Sequence, residues 1–233
     1  YMMKKMSFQE KWVLLTKYEN KPALTKKNIK SICVLANDKD ALIRGRCAGL
    51  LVHASASKAK RVLLTLACDK DALVRTEAYD SLSAFPSKHA QKFLKQAIVH
   101  EPNALARSYA ILSWADITQA LGVHKKQKKF LKQLKKLPKI KKSEHCMLSF
   151  YYAKYVLWHK KSLKKLLAFL NSSDYQICCC AVNGHDAIAL KRFGTNQCDI
   201  FLNKRTLAEI RVKHRNLFAL LFRQQDIVIA AVI

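Results

Sequence analysis

The chain has 233 residues and a formal net charge of +27, from 43 Lys and Arg against 16 Asp and Glu. Half of its residues are hydrophobic, and Gly (5) and Pro (4) are scarce. A disordered chain has too few apolar residues for that composition, and an all-β sandwich needs turn formers every few residues, so both are excluded. Self-repulsion at this charge works against compactness and points to an anionic partner: nucleic acid, an acidic protein or an anionic membrane surface.

Met2 to Met6 is followed by polar and charged residues rather than a long apolar run, so no secretory signal is expected. The first amphipathic stretch, carrying Phe8, Trp12, Val13 and Leu15, predicts a cap helix over residues 1–20. Self-similarity begins after it. Residues 38–44 read D-K-D-A-L-I-R, residues 69–75 read D-K-D-A-L-V-R, and residues 101–107 read E-P-N-A-L-A-R.

Each copy follows a helix with one apolar stripe. Ile29, Ile32, Cys33 and Ala36 align with Ala59, Val62, Leu63 and Leu66, and with Ala90, Phe93, Leu94 and Ala97. Their i, i+3, i+4, i+7 spacing places them on one helical face. Fainter copies occur at Phe130, Leu131 and Leu134, at Leu163, Leu166, Leu167 and Leu170, and near Cys198, Phe201 and Leu202. The unit is thus a helix A, a turn with an acid, and a helix B opening Leu-(Ile/Val)-Arg.

That unit resembles the HEAT and HEAT-like repeats. The resemblance covers residues 24–222, with 223–233 as a C-terminal segment of a single domain, 1–233. It implies an all-α fold, an α-solenoid of about six helix pairs in a right-handed superhelix, with B helices lining a concave surface. It also implies that Arg44, Arg75 and Arg107 form a structural ladder with the turn acids Asp38, Asp69 and Glu101. Repeat four is longer and lacks the Asp and Arg; repeat five keeps Asp174 but has Cys178 where the Arg would fall.

From His124 to Lys142 the chain reads H-K-K-Q-K-K-F-L-K-Q-L-K-K-L-P-K-I-K-K. Phe130, Leu131, Leu134 and Leu137 keep one face apolar, so the lysines crowd the opposite face. Pairs such as Lys125–Lys129, Lys128–Lys132 and Lys132–Lys136 repel across one turn. A face that disfavours its own helix indicates a ligand, and Lys125, Lys126, Lys128, Lys129, Lys132, Lys135 and Lys136 are the candidate phosphate contacts. Residues 124–215 carry 22 Lys and Arg against five acids. Tyr151, Tyr155 and Trp158 follow at i, i+4, i+7: either a core stripe, or an aromatic platform beside Lys154, Lys160 and Lys161 that Trp114 would join.

In architecture and charge the chain also resembles bacterial alkylpurine DNA glycosylases, small basic HEAT-like solenoids with tryptophans and a carboxylate at the cleft. That likeness makes Asp116 and Glu144 the candidate catalytic acids, although no stretch matches that family's active-site motif. Cys178, Cys179, Cys180 and Cys198 with His185 do not suit a metal, because adjacent helical residues point about 100° apart. No nucleotide-binding or metalloprotease motif occurs, and no cofactor is expected.

The function expected from these features is a non-enzymatic binding scaffold whose basic surface engages nucleic acid or an acidic protein. A DNA repair glycosylase and a pure protein adaptor are the alternatives. Cysteine usage suits the cytoplasm. The apolar run from Leu217 to Ile233 is broken by Arg223 and Asp226, which argues against integral membrane association, and its I-V-I-A-A-V-I end would suit an oligomer contact.

Overall fold

The computed structural model describes residues 6–21, 23–54 and 56–158, together with 162, 165–166, 168–171, 202–203 and 231–232. The chain forms two compact units, Tyr1–Leu157 and Trp158–Ile233. Most of the expected fifth and sixth repeats lie outside the described residues, including Asp174, the cysteines at 178–180 and 198, and His185. What is described of the second unit includes a 3-10 turn at Ala168–Asn171 and a two-residue parallel pairing of Leu202–Asn203 with Ala231–Val232.

The first unit is an all-helical solenoid. Helix α1 (Phe8–Glu19) precedes three regular pairs: α2 (Lys26–Leu35) with α3 (Ala41–Leu50), α4 (Ala56–Leu66) with α5 (Ala72–Leu82), and α6 (Lys88–His100) with α7 (Ala104–Ala120). A fourth pair, α8 (His124–Leu134) and α10 (Glu144–Leu157), is split by the one-turn helix α9 (Pro138–Lys141). The B helices α3, α5, α7 and α10 pack side by side, and each A helix lies against its own B helix. The two layers trap a core of Ile32, Ile43, Leu63, Val74, Leu82, Leu94, Ile111, Trp114 and Ile117, all fully buried. No helix among the described residues is long and apolar enough to cross a membrane.

Helix starts are set locally. Asp40, Asp71 and Asn103 cap α3, α5 and α7, their side chains accepting from amides of the first turn. Two residues before each cap sits the turn acid, whose carboxylate accepts the cap's own amide: Asp38 from Asp40, Asp69 from Asp71, Glu101 from Asn103. At the far end of α7, Gly122 takes a left-handed φ of 64°, where a side chain would be strained.

The turn acids also join one repeat to the next. Arg44 grips both oxygens of Asp69 at 2.7 Å, and Arg75 grips Glu101 at 2.7 and 2.8 Å. Each arginine also donates to carbonyls of its own turn, Asp38 and Lys39 for Arg44, Asp69 and Lys70 for Arg75. These bidentate forks fix the register of neighbouring pairs. Arg44 holds the Asp69 carboxyl below its ordinary range against the opposing effect of burial. Burial raises Glu101, but Arg75, the Asn103 amide and the Tyr79 hydroxyl outweigh it and keep that carboxyl low. The ladder reading of the arginines is therefore what the structure contains.

Two ends of the ladder differ from the sequence expectation. At the start, Lys11 of α1 meets Asp38 at 2.7 Å with both side chains nearly buried, so α1 supplies a first rung and packs mainly on α3. Of the residues expected to seal this cap helix, Leu15 is fully buried, but Val13 and Phe8 are 58% and 42% exposed. At the other end, Lys141 stands two residues before Ser143, where a turn acid would be. Arg107 donates instead to the carbonyls of Glu101, Pro102 and Lys139, with Cys146 Sγ at 3.9 Å. The α9 insertion thus replaces a carboxylate rung by backbone carbonyls.

Candidate nucleic-acid interface

Charge is divided by layer. The A helices carry Lys26, Lys27 and Lys30 in α2, Lys58, Lys60 and Arg61 in α4, Lys88, Lys92 and Lys95 in α6, and Lys125, Lys126, Lys128, Lys129 and Lys132 in α8, and none of the four contains an acid. The described acids lie in α1, in the turns or on the B helices, where Glu77, Asp80, Asp116 and Glu144 sit. All of these A-helix cations are exposed except Lys60 and Lys95, which are half-buried. One layer of the unit is therefore a continuous positive surface.

Helix α8 is the densest part. The candidate lysines 125, 126, 128, 129, 132, 135 and 136 are all exposed, on α8 and the turn after it. The N-terminal end of this helix is locally disfavoured. Its first turn has no acid, its Val123 cap makes no side-chain hydrogen bond, and lysines crowd the end where the helix dipole is already positive. Packing holds it instead. Leu131 and Leu134 are buried, and Phe130 meets the fully buried Trp114 edge-on at 5.0 Å with Lys95 over its ring at 4.6 Å. The apolar stripe expected at Phe130, Leu131 and Leu134 is thus the anchor that lets a helix of unrelieved charge exist.

Trp114 consequently does not join an aromatic platform; it is core beneath α8. Its indole N–H and the neighbouring Ser113 hydroxyl have no hydrogen-bond partner among the described residues. Tyr151 and Tyr155 are half-buried on α10, in the other layer from the α8 lysines, and the residues of that helix that enter the core are Phe150 and Tyr152. Tyr151 packs edge-on against Phe150 at 5.3 Å. Trp158 is half-buried and opens the second unit.

The two candidate acids are not brought together. The Tyr152 hydroxyl donates to Asp116 at 2.8 Å, late in α7, whereas Glu144 is exposed in the first turn of α10. Glu144 stands eight residues before Tyr152 on α10, about 12 Å along that helix from the residue that holds Asp116. Asp116 instead belongs with Asp80, whose carboxyl is pushed up to about 6 by burial and by the Asp116 charge. Burial first, and then Asp80, also raise Glu77.

The division of charge by layer was readable in the sequence. Counting acids by helix within the repeat, rather than by halves of the chain, would have found four A helices without one. A family model of HEAT repeats matches residues 29–115, from the first A helix into α7. No curated protein matches the chain. Over that span the register of the helix pairs, the caps and the Arg–acid ladder agree with the match, and residues 29–115 are HEAT-like repeats.

Proposed function

We propose that this solenoid is a non-enzymatic scaffold that binds nucleic acid along its A-helix layer, with α8 as the main contact. HEAT repeats suit an interaction scaffold, because stacked pairs present an extended surface without needing a pocket. The observation that carries the choice of ligand is the absence of any acid in the four A helices, against dense acids elsewhere in the same unit. Lysines on a row of helices attract phosphates as point charges and release counterions, with little base reading. Asp116 and Glu144, far apart and with Trp114 sealed in the core, give less support to base excision. The free thiols of Cys33, Cys47, Cys68 and Cys146 suit a reducing cytoplasm.

The test is fluorescence anisotropy with labelled single- and double-stranded DNA and RNA over a salt series. The expected log–log slope on duplex DNA is about −4 or steeper. Changing Lys128, Lys129, Lys132 and Lys136 to Glu should weaken binding more than tenfold and flatten the slope by about 3, with the fold intact by circular dichroism. Unchanged affinity in that variant overturns the α8 assignment. Failure to bind any nucleic acid near physiological salt, with capture of an acidic protein instead, overturns the choice of ligand.

A further inference from the structure

A second surface lies on the other layer. The exposed sides of α1, α3 and α5 enclose a groove of about 410 Å³, lined by Trp12, Leu42, Gly45, Arg46, Gly49, Leu73 and Glu77 among others. We propose that this groove receives a segment of a protein partner that presents apolar side chains together with lysine or arginine.

The floor is the first reason. Gly45 and Gly49 sit one turn apart inside α3, where glycine weakens a helix relative to alanine. Packing does not require them. A Cβ at Gly45 would meet Glu77 Cγ at 3.8 Å and Val74 Cγ2 at 3.9 Å, and one at Gly49 would meet only Glu77 Oε2 at 3.6 Å, all ordinary contacts. The equivalent positions of α5 hold Thr76 and Asp80. What the glycines provide is depth, which lets another backbone come close to α3.

The walls are the second. Leu42 and Leu73 occupy the same position after their caps and are 55% and 57% exposed, so the groove has an apolar rim on neighbouring B helices. The third is charge. Arg46 is already engaged, ion-paired with Glu19 and stacked 4.1 Å from the centre of the Trp12 ring. Glu77, which lines the groove, has no ion-pair partner among the described residues. The free charge beside the groove is therefore negative, in a chain of +27. The A-layer lysines lie a helix diameter away, about 10 Å, which exceeds the screening length of about 8 Å at physiological salt. A partner segment would lay its backbone on the glycine floor, its apolar side chains against Leu42 and Leu73, and its cation toward Glu77.

The experiment uses the full chain and two short fluorescein-labelled amphipathic peptides, one of Ala, Leu and Lys, the other with Glu replacing every Lys. At physiological salt the Lys peptide should bind saturably and the Glu peptide should not. The double variant Gly45→Ala, Gly49→Ala should lose affinity about tenfold or more while its melting temperature holds or rises, which separates loss of the floor from loss of the fold. Glu77→Gln should also weaken the Lys peptide. Equal binding of the Glu peptide, no saturable binding of the Lys peptide, or undiminished affinity in the double alanine variant overturns the proposal.

Discussion

Two stretches of the first unit join one helix pair to the next by different chemistry. Through residues 38–107 every junction is a buried fork between a cation on one B helix and an acid in the following turn. Through residues 107–157 the acid is missing, Arg107 falls back on carbonyls, and α8 is anchored by the packing of Phe130, Leu131 and Leu134. Exposed lysines on α2, α4 and α6 coexist with the ladder, because the forks lie at the turns and B helices; at α8 the lysines are densest and no fork stands behind them. The apolar anchor takes its place.

The comparison breaks most sharply at Arg75. Arg75→Ala would leave Glu101, 1% exposed, with the Tyr79 hydroxyl and the Asn103 amide but no cation. The expected loss is about 3–5 kcal/mol, read from urea unfolding, because an unpaired buried carboxylate is far costlier than the pair is favourable. A loss below about 1 kcal/mol would mean the fork is solvated in solution. Phe130→Ala tests the other stretch. It should cost about 2–3 kcal/mol, and its signature is local: hydrogen exchange should accelerate in α8 while the ladder turns stay protected. Uniform acceleration would show that both stretches unfold as one.

Lys132→Glu sharpens the same contrast. It replaces repulsion with Lys128 by attraction across one turn of α8, partly offset by the loss of a cation from the last turn, so the net change should stay within about 0.5 kcal/mol. Nucleic-acid affinity should fall in the same variant, so binding changes while stability holds. A loss of both would mean that Lys132 is needed for folding rather than for the field.

How much of this was legible follows from where the information lies. The pairs, their caps and the ladder were readable because a repeat prints its period: Arg44 and Arg75 stand in copies of one heptapeptide. Lys11 was missed because its helix has no copy of that heptapeptide and only its geometry shows it to be a rung. The sequence leaves Trp114 open between core and platform because a helix with apolar groups on several sides does not declare which neighbour covers them; α8 covers it. The Asp80–Asp116–Tyr152 cluster was invisible for another reason, since its members come from three different helices and meet only when the B layer is assembled. The groove over Gly45 and Gly49 depends on the same assembly.

The two groups of acids separate by pH. Asp69 and Glu101 titrate below their ordinary range, so the stability they contribute is present near neutrality and is lost as the pH falls through their folded values. Asp80 has the opposite sign. Its carboxyl rises from an ordinary 3.8 to about 6, with burial first and Asp116 second as causes, and Glu77 on its own helix and Tyr152 on α10 complete its surroundings. The folded state therefore holds this proton more tightly than the unfolded chain, and stability declines as the pH rises from about 4 to 6. Asp80→Asn removes that decline. Because the side chain retains access to solvent, the gain at pH 7 should stay under about 1 kcal/mol, or roughly 2–4 °C in melting temperature, and should vanish near pH 4. Thermal melts across that window decide it: a gain that persists at pH 4 would come from something other than ionisation, and no gain at pH 7 would mean that Asp80 titrates as an ordinary solvated carboxylate.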